Sequence, residues 1–290
     1  MYYTMKIHYK MPMQSEEKRL SSILRKQLKL SNSMIKRLKA ENLVLVDGTA
    51  RYMNAMVGAG SEITVNLPDE PYPDYPVEKG PLTVLFEDDL FIAVDKPAGI
   101  LVHPSRSRFS GTLTNYVSGY LDGLAVHVVT RLDRDTRGVT LFAKNSYARA
   151  LMGQTEIEKV YSGITCGEME HQSGEIDLPI ARVDPASMYR VVRQDGQKAV
   201  TEYKVERSIC FMGEKLNVVQ FKLKTGRTHQ IRVHCQTMGW PLLGDPMYYS
   251  PTSQVLNEEL GLEGQELTAK RLSFVHPITE EKIDILSNLS

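Results

Sequence analysis

The chain of 290 residues predicts an α+β fold: a mixed, largely antiparallel sheet with a few flanking helices, preceded by a small α/β domain. Three observations predict it. Pro68, Pro71, Pro73, Pro76 and Pro81 alternate with Asp69, Glu70, Asp74 and Glu78, a composition that keeps a chain extended and divides this one in two. Beyond that stretch, strand-like periodicities outnumber helical ones. Before it, two short amphipathic helices run into a hairpin.

In order, residues 1–15 read as an N-terminal extension and 16–67 as the small domain. Leu20, Ile23, Leu24, Gln27 and Leu28 have helical spacing. Lys18, Arg19, Arg25, Lys26, Lys29, Lys36, Arg37 and Lys39, against only Glu16 and Glu17, would coat the outside of this helix and the next. Ser31-Asn32-Ser33 supplies an N-cap for that second helix, which carries Ile35 and Leu38. Leu43 to Val46 runs into Asp47-Gly48, a tight-turn signal, and a strand over 62–67 follows.

The linker spans 68–81 and the large domain 82–290. Leu90 to Val94 reads as a short apolar strand. Val139 to Ala143 is almost wholly apolar, as in a strand buried on both faces. Val219, Phe221 and Leu223 alternate with Gln220, Lys222 and Lys224, which leaves one face wet. Thr228 to Met238 predicts a helix with Ile231, Cys235 and Met238 inward, stopped by Gly239 and Pro241.

Composition removes several classes of function. No apolar run approaches the ~18 residues of a membrane span, and Met1 to Lys6 lacks the apolar core of a secretory signal. Cys166, Cys210 and Cys235 are odd in number and widely spaced, so they read as reduced thiols of a cytoplasmic protein. There is no G-x-x-x-x-G-K-[ST], G-x-G-x-x-G or H-E-x-x-H, so neither a nucleotide cofactor nor a metal is expected. Lys and Arg number 35 and Asp and Glu 35, giving no net charge; a basic partner surface must come from distribution, as over 16–40.

One segment is chemically unusual. Arg131-Leu132-Asp133-Arg134-Asp135-Thr136-Arg137-Gly138 places two carboxylates among three arginines just before the buried strand at Val139. A charge cluster alone reads as a salt-bridged surface loop; a carboxylate beside cations is also available as a nucleophile or base.

The octapeptide resembles the R-L-D-x-x-T-S-G signature of the RluA/RluD family of RNA pseudouridine synthases. The resemblance continues through Leu85-Phe86-Glu87-Asp88-Asp89 and Val94-Asp95-Lys96-Pro97-Ala98-Gly99-Ile100-Leu101-Val102-His103-Pro104. It includes Lys159-Val160-Tyr161, a K-x-Y element, and Thr225-Gly226-Arg227-Thr228-His229-Gln230-Ile231-Arg232-Val233-His234, followed by Gly244-Asp245-Pro246. Leu272-Ser273-Phe274-Val275-His276-Pro277 resembles the family's closing strand. The two basic helices and hairpin are similar to the RNA-binding domain of ribosomal small-subunit protein four.

The resemblance implies a pseudouridine synthase fold and isomerisation of uridines in structured RNA, with large-subunit ribosomal RNA the first expectation and tRNA the second. It implies Asp133 as the catalytic carboxylate, Tyr161 facing the target base as platform, base or relay, and Arg232 pairing with Asp133. A target base in folded RNA must be flipped out of its stack, which calls for such a platform. Arg131, Arg134, Arg137, Arg227 and His229 are expected to contact RNA around the site, and Arg25, Lys36 and Arg37 from the basic helices. The reaction imports no group, so no cofactor is expected, and the chain is expected to act as a monomer. The sequence departs from the family at Thr130, where His is common, and at Arg137, where Ser is usual. Two rivals are a catalytically silent RNA-binding or ribosome-assembly factor and a glycoside hydrolase. The second would need its carboxylates about 5 Å or more apart, which Asp133 and Asp135 in one tight turn disfavour, and Trp240 is the only tryptophan for a sugar.

Overall fold

Leu20, Ile23, Leu24, Leu28, Ile35 and Leu38 are all buried, while Arg25, Lys26, Lys29, Lys36, Arg37 and Lys39 are exposed. The apolar stripe and the basic outside therefore share the same two helices and the turn between them, as their spacing requires. In the computed structural model, which describes residues 5–68, 72–105 and 108–289, these helices belong to the first of two units. That unit comprises Met1–Tyr72 and Asn145–Gln154; the second comprises Pro73–Lys144 and Thr155–Ser290. Residues 1–4 of the N-terminal extension and 69–71 of the linker lie outside the described residues.

The first unit runs β1 (Lys6–Lys10), β2 (Lys18–Arg19), α1 (Leu20–Lys26), α2 (Asn32–Ala40), β3 (Val44–Val46), β4 (Thr49–Ala50), β5 (Met56–Val57) and β6 (Glu62–Asn66). Ser31 caps α2 by accepting the Met34 N–H at 3.2 Å. Asp47 and Gly48 both have positive φ, +50° and +75°, the primed turn that matches strand twist between β3 and β4. One four-stranded sheet has the order β1-β6-β3-β4, and β2 pairs with β5. Residues 6–10 are therefore a sheet strand, although the sequence places them in an extension. They carry only a weak signal, Ile7 alone being buried among polar neighbours, and only pairing with β6 makes them a strand.

The second unit begins with β7 (Val84–Glu87), β8 (Phe91–Lys96), α3 (Leu113–Tyr120), β9 (His127–Val128) and β10 (Arg137–Ala143). The chain then forms α4 (Ser146–Met152), which belongs to the first unit: Tyr147 and Leu151 are buried in the cluster holding Leu24, Leu38 and Val65. It continues with β11 (Ile157–Cys166), β12 (Ser173–Asp177), β13 (Ile180–Arg182), β14 (Arg190–Val192), β15 (Val200–Phe211) and β16 (Glu214–Leu223). Last come α5 (Gln230–Thr237), α6 (Pro251–Glu259), β17 (Leu267–Val275) and β18 (Lys282–Leu286).

The main sheet has the order β12-β15-β16-β11-β17-β10-β8-β7, with β18 beside β17 and β9 beside β10. Every pairing is antiparallel except β10 with β17, which spans only Arg137↔Thr268 and Gly138↔Ala269. The sheet is thus narrowest where the Arg131–Gly138 turn enters β10. Gly138, at φ +106°, sits so close to β17 that a Cβ would lie 2.3 Å from the Ala269 carbonyl oxygen.

The later part of the proline-rich stretch is tied down: Asn115 Nδ2 donates to the Pro76 carbonyl at 2.7 Å, and Glu78 Oε2 accepts the Gly111 N–H at 2.9 Å. Prolines keep the segment extended, but α3 and the turn before it give its polar atoms partners. Met238 is 44% exposed rather than inward, because α5 ends at Thr237 before the periodicity can bury it.

Because α4 completes the first unit, Leu151→Ala should destabilise residues 20–66 rather than the main sheet. The expected loss is about 2–5 kcal/mol, read by hydrogen exchange as lost amide protection in α1 and α2 with protection of β11 and β16 unchanged.

Candidate active site

The turn from Thr130 to Thr136 is held at three points. Thr130 Oγ1 accepts the Leu141 N–H at 2.9 Å, so the departure at this position supplies a backbone clasp. Gln265 Nε2 donates to Thr136 Oγ1 at 2.9 Å. The third point is Lys96, fully buried at the end of β8, whose ammonium donates to the carbonyls of Pro97 and Ile100 at 2.8 Å and of Arg134 at 2.6 Å. Burial pushes the Lys96 pKa down to about 8, while Asp135 and Asp133 pull it the other way. Leu132 anchors the turn from below by packing into the apolar clusters on either side.

Asp133 is thereby delivered to the first turn of α5. Arg232 Nη1 donates to Asp133 Oδ2 at 3.1 Å. The same guanidinium makes a bidentate pair with Asp245, Nε to Oδ2 at 2.7 Å and Nη2 to Oδ1 at 2.8 Å. Asp245 has no exposed surface, and its Oδ1 also accepts the N–H groups of Met247 and Tyr248. Burial alone would lower the pKa of Arg232, but its two carboxylate partners outweigh that and hold it above the usual range. Arg232 is thus fixed from behind by Asp245 and presents its remaining amine to Asp133, whose side chain is about a quarter exposed.

The start of α5 is built by the sequence around it. Gln230 reaches back along its own turn, accepting from Thr225 Oγ1 at 2.8 Å and Arg227 N–H at 3.0 Å, and donates to the Val200 carbonyl at 3.0 Å. His229 takes the left-handed conformation at the N-cap, φ +57°, a rare one for a residue with a side chain. Its ring is buried, with Nδ1 2.9 Å from the Tyr248 hydroxyl and Nε2 3.9 Å from Asp133 Oδ2. Burial lowers its pKa; Asp133 opposes this and Arg232 and Arg190 reinforce it.

Tyr161 lies on β11 where the register with β17 shifts between Val160 and Tyr161, a bulge that re-aims the strand. Its ring is buried against Phe221, Ile231 and Ala269 in one apolar cluster. Burial and the negative charge of Asp133 raise its pKa far above the neutral range, so the phenol keeps its proton.

The basic residues expected around the turn divide. Arg131 is exposed, and its charge reaches His103. Arg227 is exposed with Nε donating to the Lys198 carbonyl. Arg134 pairs with Asp135 at 2.9 Å and Arg37 with Glu41 at 2.9 Å, both at the surface. Two placements depart from expectation. Arg137 is turned into the sheet end against Glu266, with Nε buried, because β10 has already begun at that residue. His229 is in the floor of the site beside Asp133 rather than at the surface, because the left-handed N-cap turns it inward. Asp245, Lys96, Gln230 and Tyr248 were not singled out from sequence. The first three lie in segments that carry the resemblance, whereas Tyr248 has no local signal at all.

The family model described as RNA pseudouridylate synthase matches residues 90–237, a stretch that holds Asp133, Tyr161 and Arg232. An uncharacterized RNA pseudouridine synthase of Bacillus subtilis is 35% identical over 272 residues, covering 91% of this chain and 87% of its own. The ribosomal large subunit pseudouridine synthase D of Xanthomonas campestris is 34% identical over 255 residues, covering 82% of this chain and 75% of its own. Among solved structures, the human RNA pseudouridylate synthase domain containing 1 superposes with a TM-score of 0.59 at 22% identity, over 72% of this chain and 85% of that one; it shares the fold.

Asp245→Asn should be among the most destabilising single changes in the second unit, since it leaves the buried Arg232 without its bidentate partner. The expected loss is about 3–5 kcal/mol by chemical denaturation. Asp133→Asn, at a partly exposed carboxylate, should leave the midpoint nearly unmoved.

Proposed function

The chain belongs to the RNA pseudouridylate synthase family, and from that premise we propose that it isomerises specific uridines of large-subunit ribosomal RNA to pseudouridine, working through the Asp133 carboxylate. The observation that carries this reading is the buried Arg232 guanidinium, locked by Asp245 and offering its last amine to a carboxylate that still meets solvent. A silent RNA-binding factor would have no use for a charge arrangement that costs this much desolvation. The ribosomal choice rests on relatives from Xanthomonas campestris, Zymomonas mobilis and Nitrosomonas europaea whose names specify the large ribosomal subunit.

In this reading the target uridine is flipped out of its stack, and uracil leaves the ribose, turns and rejoins through carbon 5. Asp133 serves as the nucleophile or base that opens the sequence. Tyr161, a protonated phenol at neutral pH, acts as the face against which the base turns and as a donor or relay, not as a phenolate base. The proton lost from carbon 5 balances the one regained at nitrogen, so no group is consumed. A duplex or loop that must be opened also needs phosphate contacts. Arg131 and Arg227 supply them beside the site, and the exposed Arg25 and Lys36 supply them from the first unit, which acts as the RNA-binding domain.

Asp133→Asn should abolish pseudouridine formation in single-turnover assays with RNA affinity retained, because an amide is neither nucleophile nor base; Asp135→Asn, whose side chain is taken up by Arg134, should keep most activity. The reverse outcome would assign the chemistry to Asp135. Separately, Arg25→Glu with Lys36→Glu should reduce RNA affinity and flatten its salt dependence by about one to two units of log–log slope. An unchanged slope would remove the first unit from the RNA interface.

A further inference from the structure

Among the described residues, the polar contacts of the Asp133 carboxylate fall on one oxygen. Arg232 Nη1 is 3.1 Å from Oδ2 and His229 Nε2 is 3.9 Å from the same atom, while Oδ1 has no hydrogen bond or ion pair among the described residues. Whether His229 attracts or repels Oδ2 depends on which ring nitrogen carries the proton, and the surroundings decide that. The Tyr248 hydroxyl accepts the Arg190 N–H at 2.8 Å, and its remaining neighbour is His229 Nδ1 at 2.9 Å. With one lone pair already used and no other acceptor among the described residues, the phenol proton goes to Nδ1. A neutral ring that accepts at Nδ1 carries its own proton at Nε2.

We propose that His229 is a positioning residue for the reaction: Tyr248 locks it as the Nε2–H tautomer, and with Arg232 it secures Oδ2 of Asp133, so that Oδ1 is the oxygen that reacts. The proposal rests on the reading of Asp133 as the acting carboxylate. The logic is that of an acid–base site in which a third group fixes an imidazole tautomer, here with the order of donors reversed. The 3.9 Å gap closes with a small turn of the partly exposed carboxylate, as such contacts do when substrate arrives. The left-handed backbone at 229 fits the proposal: a strained conformation for histidine is kept where it aims the ring at Asp133. Charged groups around the ring are Asp133, Arg232, Arg190 and Asp245, and the two arginines favour its neutral form.

The chain Arg190 N–H, Tyr248 hydroxyl, His229, Asp133 also ties the β13–β14 arm to the carboxylate. The Tyr189 ring, half-exposed on the loop between those strands, packs edge-on to Tyr248 with centroids 6.1 Å apart.

Two measurements on the full chain test this. Long-range proton–nitrogen NMR of histidine-labelled protein at neutral pH should show His229 as the Nε2–H tautomer, and Tyr248→Phe, which keeps the ring packing, should convert it to a mixture. In single-turnover assays on structured RNA, Tyr248→Phe should slow the reaction about ten-fold with RNA affinity within about two-fold. His229→Gln places an amide near the Nε2 position, whereas His229→Asn reaches only as far as Nδ1. Gln should therefore retain several-fold more activity than Asn, although Asn suits the left-handed backbone better and should be the more stable protein. A merely structural role predicts the opposite order. An Nδ1–H tautomer in the unaltered protein, or Asn equal to or better than Gln in rate, overturns the proposal. Full activity of Asp133→Asn would instead overturn the reading beneath it while leaving the tautomer result standing.

Discussion

The site depends on one buried guanidinium. Arg232 lies at the start of α5 with almost no exposed surface, and an unpaired charge there would cost several kcal/mol. Asp245 removes that cost with a bidentate pair, and two backbone amides satisfy the oxygen it shares with Nη2. What is left of Arg232 faces one direction only, toward Asp133. Fixing a cation from behind so that one amine, Nη1, is left to offer is a way to place a carboxylate without burying it completely.

Much of the second unit can be understood as support for that pair. Lys96 takes three carbonyls, one of them next to Asp133, and so sets the shape of the turn that carries it. Gln230 closes the loop before α5 and so fixes the start of the helix on which Arg232 follows two residues later. The short parallel contact of β10 with β17, with Gly138 pressed against Ala269, brings the turn to the sheet's narrow point. Each device is a polar or steric constraint acting on a few backbone atoms, and the apolar clusters beneath supply the bulk of the burial.

The first unit follows a different logic. Its basic residues stand on the outside of α1 and α2 because the inner faces are needed for Leu20, Leu24 and Leu38, and the resulting surface carries positive charge in a chain whose total charge is zero. It also borrows α4, with Tyr147 and Leu151, from a stretch of sequence far from its own. A small domain with few apolar residues gains a larger core this way.

The amino-acid sequence by itself determined the α+β class, the two basic helices, the Asp47-Gly48 turn, the buried strand at Val139 and the alternation along β16. All of these follow from periodicity and turn chemistry, which act over a few residues. It also determined Asp133, Tyr161 and Arg232 as the group to watch, through motifs spread over about a hundred residues. Only the tertiary structure decided that Asp245 anchors Arg232, that Tyr248 meets His229 and that Arg137 turns to Glu266. These partners are 13, 19 and 129 residues apart. No local pattern encodes a pairing that exists only once a sheet and a helix have packed. The same holds for β1 and for α4: a short strand and a two-turn helix take their identity from the surface that covers them, and that surface comes from elsewhere in the chain.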